Sequence, residues 1–239
     1  MPAGVPRAES AQPVILPGQW VLTSSIGVEL LPVLVAVLSR TRDTARRWVA
    51  LGFLVWFVQD CVVMWMAVRH LNNHLVVHLG NPVATAVFLL AYAAWMDEPV
   101  RRRALRIAAA AYFLVWAGLF LTIEDPNTFS QYTDPLQALV LILVCANALV
   151  RVTERRPAPV WRHDVFWISI GLLLDFGTGL LLAPVSGVLV GSDPSLVVSA
   201  YVAKAGVNIV AYLLVTLGML CAPSHSSTGV FSLRQASPS

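Results

Sequence analysis

Lysine occurs once in this chain, as Lys204, and charge of either sign is scarce. Charged residues make up 12% of the sequence against 57% hydrophobic, where a soluble domain carries about 25% charged residues. That balance, with a mean hydropathy of +0.72, excludes an ordinary soluble domain and points to an integral membrane protein. Cysteine is limited to Cys61, Cys145 and Cys221, all within or at the end of apolar stretches and without paired spacing. No disulfide framework or zinc motif is therefore expected. There is no nucleophile elbow, P-loop, HExxH, CxxC or paired-carboxylate motif, so an enzyme is not expected and no catalytic or metal-ligating residue is assigned. The net charge of +3 does not imply nucleic-acid binding, because the arginines lie in short connections between apolar runs.

Those runs are what the chain has in abundance. Crossing ~30 Å of hydrocarbon takes about 20 helical residues, and seven runs qualify: Trp20–Leu38, Trp48–His70, His74–Met96, Ala104–Ile123, Pro135–Val150, Val165–Val190 and Ser195–Cys221. Open sheet edges cannot sit in lipid, and the runs are too long for barrel strands. The expected fold is an all-α integral membrane protein, a seven-transmembrane helix bundle over residues 19–222. Residues 1–18 read as a disordered exterior arm without a separate signal-peptide core, and 223–239, rich in serine and proline, as a disordered cytoplasmic tail.

The loops set an orientation. Connections after the first, third and fifth spans carry twelve arginines; the others, with the N-terminal arm, carry only Arg7 and Arg69. By the positive-inside rule the N-terminus is expected outside and the C-terminus in the cytoplasm, in a cytoplasmic (inner) membrane. Trp20, Trp48, Trp95, Trp161 and Trp167 fall near the span ends, as an aromatic belt requires.

An ionisable side chain inside a span costs at least ~2.5 kcal/mol on insertion scales and so faces a bundle interior with a partner. Counted from the outer ends of their helices, Glu29, Asp60, Asp175 and Lys204 lie at similar depth. If the spans follow chain order around the bundle, these residues share one sector. Asn208, Tyr212 and Thr216 continue from Lys204 at i+4 spacing as one polar stripe. Glu29, Asp60, Asp175, Lys204 and Asn208 are the candidate ligand- or ion-binding residues, with Gln59, Ser25 and Thr178 as supporting groups. The plainer alternative is an Asp175–Lys204 pair that only fixes helix packing.

Other features read as structural. His74 and His78 share a helix face at i,i+4 beyond His70, a spacing that suits a metal, but no carboxylate or cysteine is near them in sequence. Asn81-Pro82 is expected to disturb the third span. Gly177 and Gly179 are expected to let helices approach beside Asp175. Trp56 and Met64, flanking Asp60, are expected in the core, and the acidic stretch Glu124–Asp134 is expected to be a solvated face.

Seven spans, short loops and a lysine in the last span resemble the microbial rhodopsins, and VAKAGVNIVAYLL is similar to their retinal-binding helix. The resemblance implies Lys204 as a Schiff-base lysine and retinal as cofactor; without it, no cofactor is expected. Ala200 stands where that family has an aspartate, the third span lacks an embedded acid, and the sixth lacks the paired tryptophans. FWISIGLLLDFGTG is similar to a segment of bacterial seven-span sensory modules. Three functions follow as expectations: a receptor-like sensory module that binds a small molecule or ion and signals through a partner protein; a small-solute or proton-coupled transporter; and a retinal protein. The absence of internal repeats and of broken Gly/Pro spans favours the first over the second.

Overall fold

The computed structural model describes residues 19–155, 159–190 and 194–221. The N-terminal arm and the C-terminal tail lie outside the described residues. Eight α-helices follow in order: α1 Gln19–Glu29, α2 Leu31–Leu38, α3 Thr44–Val68, α4 His74–Trp95, α5 Pro99–Thr122, α6 Thr133–Arg155, α7 Asp164–Val190 and α8 Pro194–Leu220, with a 3₁₀ turn at Val160–Arg162. No strand occurs among the described residues. Taking α1 and α2 together as Trp20–Leu38, 7 helices are long and apolar enough to cross a membrane. The fold is the expected seven-helix bundle.

The first span is broken where the sequence reading expects it whole. Pro32 has no N–H to give the Val28 carbonyl, and its ring crowds that carbonyl. The chain passes the break on a tighter turn, Leu30 N–H to Gly27 O at 3.3 Å, and resumes with Leu34 N–H to Leu30 O at 3.0 Å. The last residue of α1 is Glu29. The fourth span also differs: α5 starts at Pro99, so Arg101–Arg103 stand on its first turns and not in a loop.

Neighbour relations keep chain order with one exception. The first span lies against α3 and α8, α3 against α4, α6 against α7, and α7 against α8, while α4 contacts both α5 and α6. α5 is displaced outward onto α4, and its Leu114 is 76% exposed, a face suited only to lipid. Phe53, Trp56, Phe88, Phe176 and Tyr212 fill the centre, with Phe53–Tyr212 centroids 5.3 Å apart and Trp56–Phe176 at 5.5 Å. These rings tie α3 to α7 and α8 across the bundle.

α7 and α8 approach closely at Gly171 and Gly218. A Cβ at Gly171 would lie 2.5 Å from the Ala211 carbonyl, and one at Gly218 2.6 Å from Ile168 Cγ1. Gly177, in contrast, has nothing within 4 Å, so the expected close approach occurs elsewhere along the helix pair. At the arginine-rich end, buried Arg46 joins three helix termini. Its Nε meets Asp164 Oδ2 at 3.0 Å, and its Nη1 and Nη2 donate to Met219 O and Cys221 O at 3.2 and 2.5 Å. Arg46 is thus a clamp rather than a loop charge. Trp95, 5% exposed and packed on Tyr92, belongs to the core and not to an aromatic belt; Trp20 and Trp161 stay exposed. Met64 is also exposed, so only Trp56 of the pair flanking Asp60 is core.

Candidate functional site: a polar cavity inside the bundle

All five candidate residues meet. Glu29 of α1, Asp60 of α3, Asp175 of α7, and Lys204 and Asn208 of α8 line one cavity of about 250 Å³. The sector assumed from helix depth therefore exists. The wall reaches Phe129 and Ser130 in the α5–α6 connection, so the cavity extends from mid-span toward the arginine-poor end.

Lys204 Nζ donates to Asp175 Oδ1 at 3.2 Å and to Asn208 Oδ1 at 3.2 Å. Asn208 Nδ2 passes the chain on to Tyr212 Oη at 3.4 Å. The stripe read from i+4 spacing is a relay over its first three members. Thr216 leaves it, bonding back to the Tyr212 carbonyl at 2.7 Å. Thr178 likewise donates to Leu174 O and Asp175 O of its own helix, so its hydroxyl does not serve the Asp175 carboxylate. Ser25 is buried on α1 but is not among the cavity-lining residues.

A second chain of hydrogen bonds crosses the opposite wall. Gln59 Nε2 donates to Asn81 Oδ1 at 3.2 Å, and Asn81 Nδ2 donates to Asp134 Oδ1 at 2.7 Å. Asp134 is a fourth cavity carboxylate that sequence reasoning assigned to a solvated loop. Its neighbour Glu124 is misread in the same way. The Glu124 side chain is 2% exposed and lies 2.9 Å from His78 Nδ1, an ionic contact off the hydrogen-bonding direction. Its Oε1 accepts the N–H groups of Tyr132 and Thr133, each at 2.7 Å. That caps the first turn of α6 and folds the connection over the cavity. His78 thus has a carboxylate partner that is distant in sequence and near in space, whereas His70 is exposed. Among the described residues no three His, Cys, Asp or Glu side chains converge as metal ligands.

Two buried polar atoms of cavity-lining residues lack any partner: Glu29 Oε2, and Gln59 Oε1, which packs against Gly80. Glu29 is 1% exposed. A carboxylate oxygen held there without a donor costs roughly 1–3 kcal/mol or more. Gly179 opens the wall beside Lys204, its nearest neighbour being Lys204 Cε at 3.7 Å from a notional Cβ.

The fold and the site define a multi-pass membrane protein with an acid-rich cavity at mid-depth. Comparison with family models, curated proteins and solved structures returns no match to this chain.

Proposed function

We propose that the protein is a receptor-like sensory module that takes a small polar molecule or ion into this cavity and signals through a partner protein. Glu29 Oε2, buried in a cavity wall beside Asp60, Asp175 and Lys204, carries the reading, since an intramembrane carboxyl lining a cavity is suited to a polar ligand. The arginine-poor mouth faces the exterior, and the arginine-rich end, with the Arg46–Asp164 clamp, faces the cytoplasm of an inner-membrane protein. α3, α7 and α8 each supply both a cavity residue and a part of the Arg46 clamp, so ligand-induced movement has a route to a partner.

The transporter reading gains one specific support: the first span breaks at Leu30, beside Glu29, and interrupted spans at a charged midplane site are a transporter device. The retinal reading keeps Lys204, whose Nζ is engaged by Asp175 and Asn208 in a cavity lined by aromatic rings as well as carboxylates and amides. Native mass spectrometry from mild detergent tests the leading reading. Wild-type protein should carry a small-molecule or ion adduct that Glu29→Gln/Lys204→Met loses. A wild type without adduct under conditions that retain bound lipid would count against it. Counterflow of the identified adduct in proteoliposomes would select the transporter, and a visible band with all-trans retinal, abolished in Lys204→Arg, the retinal protein.

A further inference from the structure

We infer that the cavity recognises a small organic cation of the protonated-amine class. The inference rests on the reading that the cavity takes up a ligand, and it names the chemistry of that ligand.

Hydrogen bonding in the wall supports this. Asn81 donates from Nδ2 to Asp134 Oδ1, which turns Asn81 Oδ1 toward Gln59. That oxygen in turn fixes Gln59 Nε2 as its donor and leaves Gln59 Oε1 without one. On the other wall Lys204 is committed to Asp175 and Asn208, and Asn208 Nδ2 to Tyr212. Glu29 Oε2 faces this polar wall without a partner. A ligand that donates an N–H to it would complete that part of the site.

Charge gives the same answer. Glu29, Asp60, Asp134 and Asp175 face the cavity with one ammonium, Lys204. An anion would add negative charge beside these acids in a poorly solvated space, whereas a cation can take the place of a proton among them. Aromatic rings separate an organic cation from a bare metal ion. Trp56 and Phe176 line the cavity at 5.5 Å centroid separation, and Phe129 and Tyr201 stack at 6.4 Å. Ring faces beside carboxylates favour a cation with an apolar body. No three acidic or imidazole ligands converge for a metal among the described residues.

The test uses the full-length protein in lipid nanodiscs and three probes of one shape: benzylammonium, benzyl alcohol and benzoate. Benzylammonium should raise the unfolding temperature in a saturable manner, with the other two at least tenfold weaker in apparent Kd. Glu29→Gln and Asp60→Asn should each weaken benzylammonium at least tenfold, while the distant Ser39→Ala should not. The three-probe comparison on wild type needs no variant to fold. Equal or tighter binding of benzoate or benzyl alcohol, still sensitive to Glu29→Gln, would overturn the cation class and leave the cavity as a ligand site. Glu29-dependent stabilisation by sodium or potassium chloride equal to that by benzylammonium would overturn the organic class. No Glu29-dependent response to any probe or salt, with a wild type free of adduct, would bring down both the inference and the reading beneath it.

Discussion

Lys204 and Asp175 are each tolerable in the bundle only because of the other. Their side chains are 25% and 8% exposed, 3.2 Å apart. Removing one partner strands a buried charge, which typically costs about 3–5 kcal/mol, whereas removing both can be nearly neutral. Lys204→Met should therefore destabilise by about 3 kcal/mol, at the lower end because the lysine is partly exposed, and Lys204→Met/Asp175→Asn by clearly less; chemical unfolding in detergent reads the difference. Additive costs would mean that the two groups do not act as a pair. Arg46→Gln should cost about 3–5 kcal/mol for the same reason, since Asp164 is fully buried. Lys204, Asp175 and Glu29 were legible in the sequence because a charge inside an apolar run stands out. Asp134 and Glu124 were not, because acids in a polar connection look solvated until the connection is known to fold inward. Arg46 was hidden by belonging to a run of arginines that the positive-inside rule already explained.

Among the elements, α7 and α8 make the closest pair, and their contact is set by glycine where side chains would collide. Gly171→Ala places a methyl against the Ala211 carbonyl and should cost roughly 1–3 kcal/mol, the usual penalty of overpacking. Gly177→Ala meets open space and should be near neutral. Thermal unfolding of the two variants checks the contrast. The α5–α6 connection depends on Glu124, whose loss uncaps α6 and removes the carboxylate beside His78. Glu124→Ala should raise amide hydrogen exchange across 124–134 while leaving α7 and α8 protected. Periodicity and length located every span, but not the start of α5, because arginine is a good helix former and extends the helix beyond its apolar core. The break in the first span was not expected, although Pro32 carries the signal for it; its position beside Glu29 became meaningful only with the cavity in place.

For the whole molecule, seven spans force alternate connections to opposite faces. Reporter fusions at Arg42 and Arg102 should report cytoplasm, and those at Asn73 and Asn127 the exterior; one reproducible reversal would break the proposed topology. The order of helices around the bundle was legible except for α5, whose peripheral place goes with an apolar exposed face beyond its arginine-bearing first turns, a property shared by other lipid-facing helices and so uninformative in sequence. On the proposed reading, small cations reach the mid-bundle cavity from the arginine-poor end only. This central claim is tested most directly by a single thiol at Gly179, beside Lys204, in a Cys61→Ala/Cys145→Ser/Cys221→Ala background reconstituted in oriented vesicles. The permanently charged 2-(trimethylammonium)ethyl methanethiosulfonate should modify Gly179→Cys from the arginine-poor side, faster than the anionic 2-sulfonatoethyl reagent, and from the opposite side not at all. Equal modification from both sides, a preference for the anionic reagent, or no modification while an exposed cysteine at Asn127 reacts would contradict the account.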